Sequence, residues 1–167
     1  MKKLFWMMAV VSMLFSVQSF ASDMKVAVVD IKTAMENTKA YASGIKRLEA
    51  LQNKKKKELE SLRKRLTDLD KELQLQAMTM STETQNAKQQ ELGELKKKFD
   101  RKLQDASDEL KGEKRKLDSR MIAKFYDAVR AYGKDKKFDL ILPKSTVMYA
   151  GAGLDITADI TKIMDKK

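Results

Sequence analysis

The residues of this chain most able to act on another molecule are its basic side chains, and they come in blocks. Lys54, Lys55, Lys56 and Lys57 run together, as do Arg63, Lys64 and Arg65, and again Lys96, Lys97 and Lys98. No histidine and no cysteine accompany them. Thiol chemistry and histidine-triad chemistry are therefore excluded, and the commonest general base and metal ligand are missing. Ser/Lys or paired-carboxylate catalysis is not formally excluded, but no local motif supports either. The expectation is a protein that is not an enzyme and holds no metal or cofactor. Clustered cations without a catalytic partner attract: their natural targets are an unfolded acidic polypeptide, a lipid headgroup or nucleic acid. The plainer reading of the same charges is a solvated coiled-coil surface.

The charge is unevenly placed. The chain has a formal net charge of +11, or +9 without Lys2 and Lys3. Residues 46–134 hold 24 basic and 16 acidic side chains, a net of +8. The elements that carry the basic blocks thus carry nearly all the excess. A pI near 9.7 invites a nucleic-acid reading. The acids are interspersed with the bases, however, and the arms lack the interleaved aromatics of a base-stacking surface. Specific nucleic-acid binding is not expected.

Those elements are long helices. Residues 45–132 contain no proline and two glycines, Gly93 and Gly112. From Ile45, steps of three and four reach Leu48, Gln52, Lys55, Leu59, Leu62, Leu66, Leu69, Leu73, Gln76 and Met80, a heptad seam with polar residues at 52 and 55. A second row runs through Leu92, Leu95, Phe99, Leu103, Ala106, Leu110, Lys114, Leu117, Met121, Phe125, Ala128 and Tyr132. Its steps of 3-4-4 make an 11-residue repeat, which does not follow a left-handed supercoil. A heptad facing an 11-residue repeat cannot keep a regular seam, so an irregular, pliable pair of arms is expected. Between the rows, Ser81 or Thr82 can cap a new helix, predicting a turn near 79–82 and an antiparallel hairpin. The stretch Leu73 to Ala87 has Glu83 as its only charge. Its methionines, Met78 and Met80, are candidate adaptable contacts for varied partners or ordinary packing of the hairpin end.

Flanking the arms are short segments. Lys2 and Lys3, the twelve-residue apolar run Leu4–Phe15 and Ser19-Phe20-Ala21 read as a cleaved signal peptide over residues 1–21. The run is shorter than the ~20 residues of a membrane span. No cysteine follows it to take a lipid anchor. Lys25–Ile31 predicts a strand, Thr33 to Glu36 has capping-box spacing for a short helix, and Gly44 marks the entry to the first arm. Beyond Gly133, strands are expected at 138–142 and 146–150. A last helix capped by Asp155 should bury Ile156, Ile160, Ile163 and Met164. The fold class is α+β: a helical hairpin arm over 45–132 on a small β-rich body made of 22–44 and 133–167. So small a body is marginal alone. Several chains are expected to pool strands, with Val26, Val28, Ile31, Leu140, Leu142, Val147 and Tyr149 as candidate oligomerisation contacts.

The leader, KVAVVDI at 25–31, the basic hairpin, then FDLILP at 138–143, TVMYAG at 146–151 and LDITADI at 154–160 resemble the OmpH-like family of periplasmic chaperones. The resemblance covers essentially the whole mature chain in order. The body segments carry it; the arms alone match many coiled coils. It implies a homotrimer in the periplasm, a β-barrel body drawn from three subunits, and three arms around a cavity that holds unfolded outer-membrane proteins in transit, without an energy source. Client contact is expected from the basic blocks and the two tip methionines. The weakly charged tip departs from the basic tips of some relatives, and contact with anionic lipid or lipopolysaccharide stays open. An envelope adaptor coiled coil is the competing reading.

Overall fold

The computed structural model describes residues 24–76 and 78–166; the leader expected at 1–21 lies outside them. In chain order the elements are β1 (Val26–Val29), α1 (Ile31–Glu36), α2 (Lys39–Gln76), α3 (Thr82–Lys136), β2 (Leu140–Pro143) and α4 (Thr157–Lys166). The two long helices form the hairpin, and at 1.5 Å per residue they measure about 57 and 82 Å. α3, the longer of the two, does not stop at residue 132. It runs on into the body and ends on Lys137, which adopts a left-handed conformation (φ 55°) and lets Phe138 N–H donate to the Gly133 carbonyl at 2.9 Å.

The turn between the arms has the chemistry of a helix start. Ser81 is the N-cap of α3: its hydroxyl accepts from the Thr84 N–H at 3.2 Å, and Glu83 sits in the positively polarised first turn. The other end of the hairpin is fixed by Thr38, which is fully buried. Its hydroxyl donates to the Met35 carbonyl at 2.7 Å and accepts from the Tyr41 N–H at 3.1 Å, so one side chain closes α1 and opens α2.

Three cross-arm ion pairs run in antiparallel order up the hairpin: Lys55–Glu109 at 2.6 Å, Arg65–Glu91 at 3.0 Å and Glu72–Lys88 at 2.9 Å. Exposed pairs of this kind add little stability, but each opposes a shift of one helix along the other. Of the twelve residues in the 11-residue row of α3, Leu103 alone is exposed.

The body is built around the end of α3. Its core joins Ala27 and Val29 of β1, Ala34 of α1, Leu117, Met121, Phe125 and Ala128 of α3, and Ile156, Ile160 and Met164 at the C-terminal end. Of the face expected of the last helix, Ile160 and Met164 are buried and Ile163 is half-buried; Ile156 is buried too but precedes the helix, which begins at Thr157. β1 and β2 pair in parallel, Val26 opposite Leu140 and Val29 opposite Pro143. The other edge of β1 meets Asp155 in a single bridge, so β2 keeps an unpaired outer edge among the described residues.

Several local expectations are corrected. Helix α1 begins at Ile31 and is capped by Asp30, whose carboxylate accepts from the Thr33 N–H at 2.9 Å; Thr33 is inside the helix, not its cap. Gly44 is no boundary. It lies within α2 and is buried, and a Cβ there would stand 2.5 and 2.7 Å from the two methyls of Leu117. Its missing side chain is what lets the two helices approach at the base of the arm. The expected strand at 146–150 does not form: a 3₁₀ turn occupies Lys144–Thr146, and irregular chain follows. The expected strand at 138–142 is the shorter β2, displaced toward Pro143.

Candidate binding surface of the helical arms

The basic blocks are set on α2 and α3 by the same spacing that buries the seam. Lys54, Lys56 and Lys57 are exposed, whereas Lys55 occupies a heptad position and is half-buried. There it meets Glu109. The two hold each other charged: the carboxylate raises the Lys55 ammonium above its usual range, and Lys55 holds the Glu109 carboxyl below its own. Lys55 is thus tied within the arm, and the other three lysines of its block reach into solvent. Arg63 and Lys64 are exposed, and Arg65 is engaged by Glu91. On the facing helix, Lys96, Lys97 and Lys98 are all exposed. Lys97 and Lys98 share a shallow cleft with Arg65 and Arg101, which brings cations of two blocks onto one side of the hairpin.

The tip divides its two methionines. Met78 is fully exposed and Met80 is half-buried. A residue that the pattern did not single out, Leu75, is 84 % exposed beside them. Its signal was present: it is apolar and stands off the heptad row, between Leu73 and Gln76.

A second missed feature lies mid-arm. Leu59 of α2 and Phe99, Leu103, Ala106 and Leu110 of α3 line an open groove of about 500 Å³, with Gln52, Lys55, Lys56, Glu60 and Arg63 along its sides. The readable signal was the pair of polar residues, Gln52 and Lys55, in the heptad row.

The proposed body contacts fare unevenly. Val28 is already covered by its own chain at 2 % exposure, so its side chain has no surface left for another copy. Val26, Ile31, Leu142 and Val147 are half-buried. Leu140 and Tyr149 are exposed, and so are Met148, Leu154 and Tyr126. The chain after β2 therefore presents Met148 and Tyr149 uncovered, next to a strand with a free edge.

One ionic link fastens the chain after β2 to the rest of the body. Lys144 Nζ lies 2.7 Å from Asp155, whose carboxylate also accepts from the Thr157 N–H at 2.9 Å. Lys144, and then Thr157, hold the Asp155 carboxyl down to about 2, against an ordinary 3.8. A depressed folded-state value means the stabilisation is complete above the unfolded pKa and is lost as pH falls through the folded one. The unfolding free energy from urea titrations should therefore drop between pH 4 and pH 2 by on the order of 1–2 kcal/mol, with the exposure of Lys144 reducing the full value. Asp155→Asn should flatten that part of the profile; an unchanged slope would show that the pair does not contribute.

Among the described residues no group of acids is arranged to hold a metal ion, and no helix is long and apolar enough to cross a membrane.

A small body that closes the open end of a long, basic, incompletely sealed hairpin defines a class of hairpin-armed α+β proteins. The chain belongs to the OmpH-like outer membrane protein family, whose sequence model matches residues 25–164. It is 23 % identical over 138 residues to the chaperone protein Skp of Pectobacterium atrosepticum, covering 83 % of this chain and 84 % of that one. It is likewise 23 % identical over 152 residues to the chaperone protein Skp of Photorhabdus laumondii, covering 91 % and 92 %. Its fold matches the crystal structure of a protein described as an OmpH-like outer membrane chaperone from Caulobacter crescentus CB15. The TM-score is 0.80 at 20 % identity, over 86 % of this chain and 85 % of that one.

Proposed function

We propose that this protein is a periplasmic holdase that binds unfolded outer-membrane proteins between helical arms and keeps them from aggregating until they are delivered. The observation that carries the reading is the division of labour within one chain. The arms are long and basic, with apolar residues uncovered at Leu75, Met78 and Leu103, while the body ends in a free strand edge and uncovered apolar side chains. Free strand edges are satisfied by pairing with another chain. The body therefore joins copies, three in the arrangement proposed, and the arms surround the space between them. Membership of the OmpH-like family and the chaperone names of its relatives support the same reading.

Holding needs no catalytic step. An unfolded client is retained by many weak contacts, since one tight local contact would oppose release. Lysine and arginine bring acidic clients in at long range, and their aliphatic stems cover apolar client surface at short range. Enclosure also keeps client strand edges from pairing with other chains.

The test is the mass of the purified protein lacking residues 1–21, with and without an unfolded outer-membrane barrel protein, together with light scattering from that client on dilution out of urea. The expected result is a mass of three chains that rises by one client, with scattering suppressed. A monomer that ignores the client would overturn both the oligomer and the holdase.

A further inference from the structure

Half-way along the arm the two hydrophobic periods fall out of step. On α2 the heptad positions 52 and 55 are filled by Gln52 and Lys55, so the apolar row of α3 has no apolar row opposite it there. The floor of the resulting groove is Phe99, Leu103, Ala106, Leu110 and Leu59, and Leu103 is half in solvent at 50 % exposure. The α2 side carries Lys55, Lys56 and Arg63 against one carboxylate, Glu60. Lys55 is committed to Glu109 at 2.6 Å. Lys56 meets Glu60 at 3.8 Å between two well-exposed side chains, and Arg63 has no ion pair among the described residues. An exposed pair at that distance is held by little energy. Two cations above an apolar floor are therefore free to turn toward an incoming anion.

We infer that this groove binds an extended polypeptide segment of about five residues in which apolar side chains alternate with acidic ones. The inference rests on the holdase reading and names what one arm grips. From Phe99 to Leu110 the floor runs about 16 Å along the helix at 1.5 Å per residue. A strand covers that length in about five residues at 3.3 Å each. Its positions i, i+2 and i+4 share one face, so three apolar side chains can meet the floor together. The intervening carboxylates then lie at the mouth, within the sweep of Lys56 and Arg63. Strands of membrane barrels alternate apolar and polar residues along their whole length, so an unfolded barrel offers such segments repeatedly. A segment with lysines between its apolar residues would meet like charge along the α2 side.

The chain's one tryptophan, Trp6, lies in the leader, so the protein lacking residues 1–21 has none. Phe99→Trp therefore gives a single reporter in the groove floor of the assembled protein. The probe is an end-blocked pentapeptide of leucine alternating with aspartate; the control is leucine alternating with lysine. The aspartate peptide should shift the reporter's emission saturably and bind at least tenfold more tightly than the lysine peptide. Leu103→Glu, at an exposed helix position, should weaken it at least tenfold. Arg63→Glu should weaken it at least threefold and favour the lysine peptide instead. Equal binding of the two peptides, or indifference to Leu103→Glu, would overturn the inference. So would either of two other occupants. One is a Leu103→Glu effect on anionic phosphatidylglycerol vesicles and not on the peptide; the other is a change in oligomer mass caused by the same substitution. Light scattering from an unfolded barrel protein separates the two levels. A wild-type protein that fails to suppress it defeats the holdase itself, whereas an active holdase whose groove ignores the peptide defeats the groove alone.

Discussion

Phe125→Ala is expected to lower the stability of the protein by about 3–5 kcal/mol, the range for removing a large buried aromatic side chain. Phe125 is 2 % exposed and packs edge-on to Tyr126 at 5.6 Å between ring centres. It also belongs to the core in which α3 meets β1, α1 and α4. No other element could move in to fill the void without unpacking the strand pair or α4. The melting temperature should fall by roughly 10–20 °C for a domain of this size. The loss has a directional consequence. Phe125, with Met121 and Ala128, is what holds the arm on the body, so the arm should detach before its own seam opens. Near-ultraviolet signals from the body tyrosines should accordingly change at lower temperature than the far-ultraviolet helix signal. A shift of less than about 3 °C would mean that this core does not anchor the arm.

Reversing three arm lysines should slow client capture at low salt on the order of a hundredfold, within the range that electrostatic steering contributes to association. Suitable positions are Lys54→Glu, Lys57→Glu and Lys96→Glu, all exposed and without ion pairs among the described residues. Together they take the net charge of residues 46–134 from +8 to +2. The cost to the helices is small, since new like-charge neighbours at helical spacing are worth only a few tenths of a kcal/mol each. Steering is screened over about 10 Å at 0.1 M salt. Wild-type capture of an unfolded acidic barrel protein should therefore slow with salt until it meets the variant's rate. Retention, which depends on apolar contacts as well, should change less. Stopped-flow fluorescence with a labelled client measures both, and a variant that captures at the wild-type rate in low salt would remove steering from the mechanism.

The arms were legible because their signal is local. Leu59 to Leu73 repeat at heptad spacing and Leu92 to Tyr132 at 3-4-4, so each row can be read off its own helix whatever it packs against. The last helix was legible for the same reason. The body was harder to read because strands are decided by partners. Thr146 to Ala150 has the composition of a strand, yet β1 is already occupied by β2 and by Asp155, and the segment does not turn back onto the free edge of β2; composition alone could not show either. Gly44 misled because glycine usually punctuates helices; its reason for being there is Leu117, 73 residues later. At the surface, exposure of the basic blocks followed from their spacing. The mid-arm groove did not, because it depends on what each row faces across the hairpin. Lys55 shows the limit most plainly. It looks like its three neighbours in the run, but its place on the seam turns it toward Glu109.

The parallel pairing of β1 with β2 bears on the order in which the chain can mature. The Lys25 N–H donates to the Asp139 carboxylate across 114 positions, and the whole hairpin lies between them. During synthesis the two long helices are therefore complete before β2 exists, and before residues 156–164 arrive to cover the core. Arms come first and the fastening last. A nascent chain halted after Lys136 and short of β2 could form the arm, but it would lack β2 and the residues 156–164 that complete the body core.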